Sequence, residues 1–315
     1  MRRFSMLSVF VFVMMIITPL ISVRYQRVEY AEEKSSPLEQ RDVINVMASD
    51  NGFIKSVDIK EYLIGCVAGE MSVSYHVEAL KAQVVASYTY VKFISYRDKD
   101  VLGGADISDD SSVHQSYLDE AERKEKWGND YEKNEKIISD IVNQMLYSYL
   151  SYGEMPAMTV YHNLNSGRTE SAENVWGEKI PYLISVASAG DRLSPQYLTE
   201  HKVSLEEFTS ILKKNKISYT DDFKIDSRFE SGCVERVDIN GNAISGTDLR
   251  KMFSLKSADF DMSVNKDNVV FTCRGNGHFV GMSQYGADYM ARQGATYDEI
   301  LNHYYPGTRL NILKT

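Results

Sequence analysis

The chain has 315 residues, of which 43% are hydrophobic and 25% are charged, and this is the composition of a globular protein with one or two domains. The mixture excludes an intrinsically disordered chain, a collagen-like chain and a polytopic membrane protein. The 44 acidic and 35 basic residues give a net charge of -9, which argues against a nucleic-acid-binding protein. Three cysteines are too few for a disulfide scaffold.

An uncharged segment near the N-terminus, from Phe4 to Val23, is long enough for a helix that crosses a bilayer. Arg2 and Arg3 precede it, so the positive-inside rule predicts a cytoplasmic N-terminus. We therefore predict a single-pass anchor at residues 1–23, a polar linker at 24–41 and an extracytoplasmic remainder. The alternative is a cleaved signal peptide, but the apolar run is long for one and no small-x-small site follows it.

The first half of the folded region is predicted to begin with a hairpin. Residues 43–47 and 53–57 read as strands, and Asn51-Gly52 favours a tight turn between them. Asp58 is a suitable N-cap for the helix that follows. The predictions for this half are, in chain order, helices at 59–70 and 77–95, a loop at 102–116, a solvent-exposed charged face at 118–136 and a helix at 137–150.

The second half mixes strands and helices without a regular βαβ rhythm. This favours the α+β class over a doubly wound parallel sheet. We predict two lobes, a catalytic lobe at 42–195 and a second lobe at 196–315. The predicted elements are strands with turns at 156–187, a helix at 205–214 capped by Ser204, strands at 232–272 with turns at Asn240-Gly241 and Ser245-Gly246, a helix at 286–293, and a final helix before Pro306-Gly307.

Glu70 lies at the end of an apolar helix stripe. The stripe consists of Ile59, Tyr62, Leu63, Cys66 and Val67, which recur at spacings of three and four residues. The next position on the same face is Glu70. Burial raises the pKa of a carboxyl group, and a carboxyl group that keeps its proton can act as a general acid. The alternative is a glutamate at a helix end that turns into solvent.

A glycine-rich segment at 273–287 is a second candidate site. It places His278, Ser283, Gln284 and Tyr285 among four glycines, and these side chains suit a ligand rich in hydroxyl groups. It has no strand–GxGxxG–helix unit and no GK[ST] motif, so it does not predict a nucleotide site. The alternative is a structural turn before a helix. A polar segment at 162–176, which ends in Trp176, is either a sugar subsite or a surface turn.

The histidines and cysteines predict no metal centre. The six histidines show no HExxH spacing, and the three cysteines show no CxxC pair. Cys66 lies on the apolar stripe and is predicted to be in the core. Cys233 and Cys273 are in or beside predicted strands, and whether they form a disulfide stays open. We predict no cofactor.

Five segments together resemble the stage II sporulation protein D family, which includes autolysin-enhancer relatives. The resemblance covers residues 53–312. In chain order its segments are Glu61-Tyr62-Leu63 through Gly69-Glu70-Met71, Glu78 to Gln83, Thr169 to Glu173 with Val175-Trp176-Gly177, Gly277-His278 through Gly281 to Ala287, and Glu299-Ile300-Leu301 with His303 to Thr308.

The resemblance implies a peptidoglycan lytic transglycosylase that acts during engulfment in sporulation. Such an enzyme cleaves the bond between N-acetylmuramic acid and N-acetylglucosamine in peptide-stripped glycan strands, and leaves a 1,6-anhydro sugar. The implied location is the space between the mother-cell and forespore membranes. The implied partners are the glycan strands and sporulation proteins P and M. The family's catalytic glutamate falls on Glu70.

The resemblance also gives expected roles to other residues. Lys81 and Arg168 are candidates to hold the lactyl carboxylate of muramic acid, while Ser283, Gln284 and Tyr285 are candidates to hold the sugar or to stabilise positive charge. The full set of expected substrate-binding residues is Lys81, Gln115, Arg168, His278, Ser283, Gln284 and Tyr285.

The chain departs from the family pattern at four places. Tyr88 stands where many members have arginine, residues 163–167 differ from the usual Ser-Thr-Ser-Gly-Gly loop, and Phe279 replaces a usual glycine. Only His114 remains of the Cys/His cluster that binds zinc in some clostridial members, so we expect no structural zinc. The rival function is therefore a non-catalytic peptidoglycan-binding module that enhances a partner amidase, and Tyr88 and the altered loop favour it.

Overall fold

The computed structural model describes residues 42–97, 102–110, 112–218 and 223–312, all of which belong to one compact unit, Gln40–Thr315. Within these ranges, no helix combines the length and the apolar character that crossing a bilayer requires. The predicted anchor and linker lie outside the described residues. The lobe boundary near residue 195 also stays a prediction.

The predicted hairpin and the first two helices are confirmed. Strands β1 (Val43–Met47) and β2 (Ile54–Asp58) pair antiparallel, and helix α1 (Ile59–Glu70) follows directly. The Asp58 side chain caps α1 by accepting hydrogen bonds from the backbone N–H groups of its first turn. Helix α2 (Val77–Arg97) is next. The predicted loop contains a short strand, β3 (Ile107–Ser108), parallel to β1.

The charged segment forms two helices and is not wholly solvent-exposed. Helix α3 (Glu120–Trp127) and helix α4 (Tyr131–Met145) carry most of its charges on their surfaces. Arg123 is the exception, because its side chain is fully buried and pairs with Glu61 of α1 and Glu135 of α4. This arginine ties three helices together.

The predicted helix at 137–150 is wrong at both ends. Helix α4 begins at Tyr131 and ends at Met145, and residues 148–152 form strand β4 (Ser148–Tyr152). Strand β4 pairs with β5 (Met155–Pro156) and with the last strand of the chain. Residues 156–187 are mostly irregular, with strand β6 (Tyr161–His162) and helix α5 (Ala172–Trp176).

Residues 198–274 build two antiparallel three-stranded sheets around a core that includes Phe208, Phe253 and Phe271. The predicted helix at 205–214 and the turn at Asn240-Gly241 are confirmed. Ser245-Gly246 is a helix start instead of a turn, since the Ser245 side chain accepts from the Asp248 N–H. The elements are β7 (Leu198–Ser204), α6 (Leu205–Lys214), β8 (Phe223–Arg228), β9 (Val234–Ile239), β10 (Asn242–Ser245), α7 (Gly246–Met252), β11 (Phe260–Val264) and β12 (Asn268–Arg274).

The C-terminal elements return to the first helices. Strand β13 (Met282–Ser283) pairs parallel with β6, and helix α8 (Gln284–Arg292) packs on α2. Helix α9 (Tyr297–Tyr304) and strand β14 (Arg309–Ile312) complete the chain's described elements. Helices combined with mainly antiparallel sheets agree with the predicted α+β class. All three cysteines are buried and unpaired, and Cys66 lies in the core as predicted.

Candidate active site

Glu70 is the last residue of α1, and its carboxylate is held by a neighbouring segment. The backbone N–H of Ser116 donates a 2.6 Å hydrogen bond to Oε1 of Glu70. This contact requires a glycine before the glutamate, because a Cβ on Gly69 would lie 2.5 Å from Oγ and 2.9 Å from Cβ of Ser116. The small residue on α1 therefore allows the close approach that orients the acid.

The second oxygen of Glu70 faces a glutamine amide. Gln284 opens α8, and its Nε2 lies 3.4 Å from Oε2 of Glu70 and 3.4 Å from Oε1 of Gln83. Burial raises the pKa of Glu70, and the hydrogen bonds from Ser116 and Gln284 and the charge of Lys126 offset only part of that effect. Because Oε1 accepts from a backbone N–H, the carboxylic proton is expected on Oε2.

A cleft of about 1010 Å³ opens on one side of Glu70. Gln115 lines it and is fixed by two tyrosines, since its Nε2 donates to Tyr62 Oη at 2.6 Å and its Oε1 accepts from Tyr161 Oη at 2.8 Å. Burial and the charge of Glu70 raise the pKa of Tyr161, so its hydroxyl keeps its proton. The wall near the acid thus presents fixed amide and hydroxyl groups.

Aromatic side chains form another part of the same cleft wall. Trp176 is 41% exposed, and its ring centre lies 5.3 Å from that of His278. His278 also contacts His162, at 5.7 Å between ring centres. Burial and the charge of Arg250 lower the pKa of His278 to about 4, so the ring is neutral near neutral pH. This part of the cleft offers a tryptophan face next to neutral imidazole.

A second cleft, of about 570 Å³, is also lined by Glu70. Lys126, Trp127 and Lys133 line it, together with the residues that follow α1. Lys126 Nζ donates to the Ala68 carbonyl oxygen at 2.6 Å. Among the described residues that line them, the two clefts share Glu70.

The structure brings four of the predicted site residues to the larger cleft, namely Glu70, Gln115, His278 and Gln284. Two neighbours from the same motif point elsewhere. The Ser283 side chain is fully buried and caps α8, accepting from the Gly286 N–H at 3.0 Å. The Tyr285 ring packs edge-on against Tyr75, with 6.5 Å between ring centres.

The two predicted cations do not line either cleft. Lys81 pairs with Glu78 at 2.8 Å, and Arg168 pairs with Glu230 at 3.1 Å. Their charges are therefore already matched by glutamates outside both clefts. The sequence analysis missed Tyr161 and Arg250, both of which line the larger cleft. No sequence motif marks either residue.

The sequence analysis also missed Asp191, which connects two loops to the start of α8 through hydrogen bonds. It is fully buried and accepts hydrogen bonds from Ser283 Oγ at 2.5 Å, Ser188 Oγ at 2.5 Å and the Asn165 N–H at 2.9 Å. Burial raises the pKa of Asp191 to about 6. The altered loop at 163–167 is therefore anchored through Asn165 to the same carboxylate as the start of α8.

Phe279 occupies a backbone conformation that favours glycine. Its φ angle is +69°, and its side chain is fully buried. A left-handed conformation costs a residue with a Cβ on the order of 1 kcal/mol, so burial of the aromatic ring must offset that strain here. Among the described residues, no group of three or more His, Cys, Asp or Glu side chains could hold a metal ion.

Comparisons with known proteins place the chain in a family. A family model described as stage II sporulation protein matches residues 48–152. The chain is 36% identical to stage II sporulation protein D of Bacillus subtilis (strain 168), and 35% identical to that of Bacillus amyloliquefaciens. Each match spans 88% of this chain and 80% of the relative. It is 27% identical to the amidase enhancer of Bacillus subtilis (strain 168), over 79% of this chain and 40% of that protein. The chain therefore belongs to the stage II sporulation protein D family.

Proposed function

We propose that the protein is a lytic transglycosylase that cleaves the MurNAc–GlcNAc bond of peptide-stripped peptidoglycan strands during sporulation, with Glu70 as its single acid and base. The observation that carries the proposal is that Glu70 lines both clefts. A polymer cut in its interior needs room for sugars on both sides of the bond. Glu70 lines two clefts, and burial raises its pKa.

The reaction needs one carboxyl group because the substrate supplies its own nucleophile. Protonated Glu70 gives its proton to the glycosidic oxygen, and the bond between that oxygen and C1 of MurNAc breaks. The ionised carboxylate then takes the proton from the 6-hydroxyl of the same sugar as O6 bonds to C1. The product is a 1,6-anhydro sugar, no water is consumed, and Glu70 ends protonated as it began.

Neutral groups around Glu70 suit the charge that develops in this reaction. The Tyr161 hydroxyl and the Gln115 and Gln284 amides are fixed by hydrogen bonds before substrate arrives, so they need no reorganisation as charge forms. A hydrolase would need a second carboxylate as base or nucleophile. Glu178 is the other carboxylate among the described residues lining the larger cleft, and it is exposed.

The proposed location follows from the family and from the N-terminal segment. The relatives are named for the second stage of sporulation, which supports a role in that process. An anchor at residues 1–23 would hold the catalytic unit outside the cytoplasmic membrane, in the space between mother cell and forespore. Sporulation proteins P and M are the proposed partners there. Crosslinking in engulfing cells, with this protein as bait, would test both the compartment and the partners.

The second candidate is a non-catalytic enhancer of an amidase, which the 27% identity to the amidase enhancer favours. Tyr88 and the altered loop at 163–167 are the sequence features that favour it. The Tyr88 ring is buried, with Lys92 Nζ 5.3 Å from its centre, and it lines neither cleft. Tyr88 itself therefore forms no part of the wall of either cleft.

Product analysis distinguishes these functions. The full-length chain, its Glu70→Gln variant and a Glu178→Gln control would be incubated in detergent with peptide-free glycan strands, and the products weighed by mass spectrometry. We expect anhydro-ended sugars from the wild type and the control, and none from Glu70→Gln. Reducing ends would indicate hydrolysis. Intact strands bound by the wild-type protein would favour the enhancer.

A further inference from the structure

An arginine in the wall of the larger cleft has no acidic partner among the described residues. Arg250, near the end of α7, lines this cleft beside His278 and Asn276. Its Nε is buried and makes no hydrogen bond within the part of the chain that the structure describes. Burying a cation that has an unsatisfied donor costs free energy, and a ligand that accepts a hydrogen bond from this donor would offset the cost.

Several other arginines of the fold are paired with carboxylates. Arg123 is held by Glu61 and Glu135, and Arg292 is held by Asp288. Arg228 and Arg274 share Asp259 and Asp261. These four arginines are satisfied by carboxylates of the chain, and Arg250 differs from them in that respect.

The groups around Arg250 do not neutralise it. Glu170 is buried and lines a small cavity together with Arg250. Its oxygens, however, already accept hydrogen bonds from Ser231 Oγ, Asn174 Nδ2 and the Ser171 N–H. Burial lowers the pKa of Arg250, yet a guanidinium group stays protonated at any physiological pH. The neighbouring His278 ring is neutral, so Arg250 supplies the positive charge beside it, while the other two cations among the described residues that line this cleft, Arg97 and Lys251, are exposed.

The helix dipole accounts for only part of this placement. A cation in the last turn of a helix is favoured by the helix dipole, but an exposed side chain would gain the same benefit. Lys251, one residue on, is exposed. Both residues line the larger cleft, but Arg250 is half-buried in its wall and so gives up hydration that Lys251 keeps.

We propose that Arg250 binds the free lactyl carboxylate of a muramic acid residue, and so makes the cleft selective for glycan whose stem peptide has been removed. This inference rests on the proposed function. A stem peptide converts the carboxylate into a neutral amide, which cannot form the charge-assisted pair that a guanidinium makes with a carboxylate. Lys81 and Arg168, the residues expected for this role, are paired outside the clefts.

The test measures binding without turnover. The full-length chain carrying Glu70→Gln would be titrated calorimetrically, in detergent, with a peptide-free MurNAc–GlcNAc tetrasaccharide and with the same compound whose lactyl groups are converted to amides. We expect roughly tenfold or tighter binding of the carboxylate form. Adding Arg250→Gln should weaken that ligand to the level of the amide, while binding of the amide form stays unchanged.

Two further variants control for structural damage. Arg250→Lys keeps a positive charge and should keep part of the preference for the carboxylate. Lys251→Gln removes a neighbouring charge and should leave the preference intact. The proposal is overturned if the Glu70→Gln protein shows no preference, if Arg250→Gln weakens both ligands equally, or if Lys251→Gln abolishes the preference.

A parallel cleavage assay distinguishes failure of the proposed function from failure of the role of Arg250. The wild-type chain is assayed in parallel for anhydro products on the same tetrasaccharide polymerised as glycan strands. An arginine-dependent preference without any cleavage would keep the assignment of Arg250 and reject the transglycosylase. Cleavage with no preference would do the reverse.

Discussion

Glu70, which is half-buried, and Asp191, which is fully buried, are two acids in contact with the same short segment, and they differ in what their oxygens face. Burial raises the pKa of both carboxyl groups. Asp191 is fully enclosed, and Ser188, Ser283 and Asn165 donate to its two oxygens. Glu70 has one oxygen held by the Ser116 N–H and another that faces Gln284 at 3.4 Å, at the edge of two clefts.

The difference shows that burial alone does not make a catalytic acid. A raised pKa keeps a proton on the group, but only an oxygen that a substrate can reach can transfer it. Asp191 meets the first condition and Glu70 meets both. Asp191 instead fixes the start of α8, from which Gln284 reaches Glu70, so one acid supports the position of the other.

The largest expected effect is the loss of activity in Glu70→Gln. The amide cannot donate and then recover a proton, so turnover should fall by about 10²–10⁴-fold, the usual contribution of a general acid. Stability should not fall, because the change removes the cost of ionising a buried carboxyl group. Glycan cleavage and thermal unfolding would be measured together, and a large drop in melting temperature would contradict this assignment.

For Asp191→Ala, in contrast, we expect a loss of stability. The change leaves buried donors of Ser188, Ser283 and Asn165 without their acceptor, and each such donor costs about 1–3 kcal/mol. The free energy of unfolding, measured with denaturant, should fall by at least that amount. Asp140→Ala on the exposed surface of α4 is the control, with an expected change within about 0.5 kcal/mol. Equal changes in the free energy of unfolding in the two variants would contradict the role of Asp191 in holding these segments together.

The comparison also shows which features a sequence can predict. Glu70 was found because the stripe of α1 is a local pattern, and spacing within one helix fixes which face a residue shares. The spacing within one helix does not predict the hydrogen-bond partners of Glu70. The Ser116 N–H and the Gln284 amide lie 46 and 214 positions away along the chain, so only the folded structure brings them to the carboxylate.

Membership of one sequence motif did not predict which way each side chain points. Ser283, Gln284 and Tyr285 are consecutive, but successive residues at a helix start point about 100° apart, so only one of the three reaches the cleft. Arg250 and Asp191 belong to no motif. Strand β4 was mistaken for helix because an apolar run fits either, and its pairing with β14 is a long-range contact.

The two tryptophans of the chain test whether glycan lies on both sides of Glu70. Trp176 lines the larger cleft and Trp127 the smaller one. If a strand crosses the acid, Trp176→Ala and Trp127→Ala should each weaken binding by about 0.5–1.5 kcal/mol, or roughly two- to tenfold in KM. Phe53→Ala, at a 75% exposed residue of the hairpin, should change nothing. An unchanged KM in Trp127→Ala would confine the substrate to the larger cleft.

The smallest expected effect is a shift in pH dependence caused by Lys126→Met. The positive charge of Lys126 favours ionised Glu70 and so lowers its pKa, against the larger effect of burial. Removing that charge raises the pKa further, so Glu70 keeps its proton to a higher pH. The alkaline limb of kcat/KM should therefore move to higher pH. Lys133→Met, in the wall of the same smaller cleft, is the matched control and should leave that limb in place. A shift to lower pH, or an equal shift in both variants, would mean that Lys126 does not set the charge of the acid.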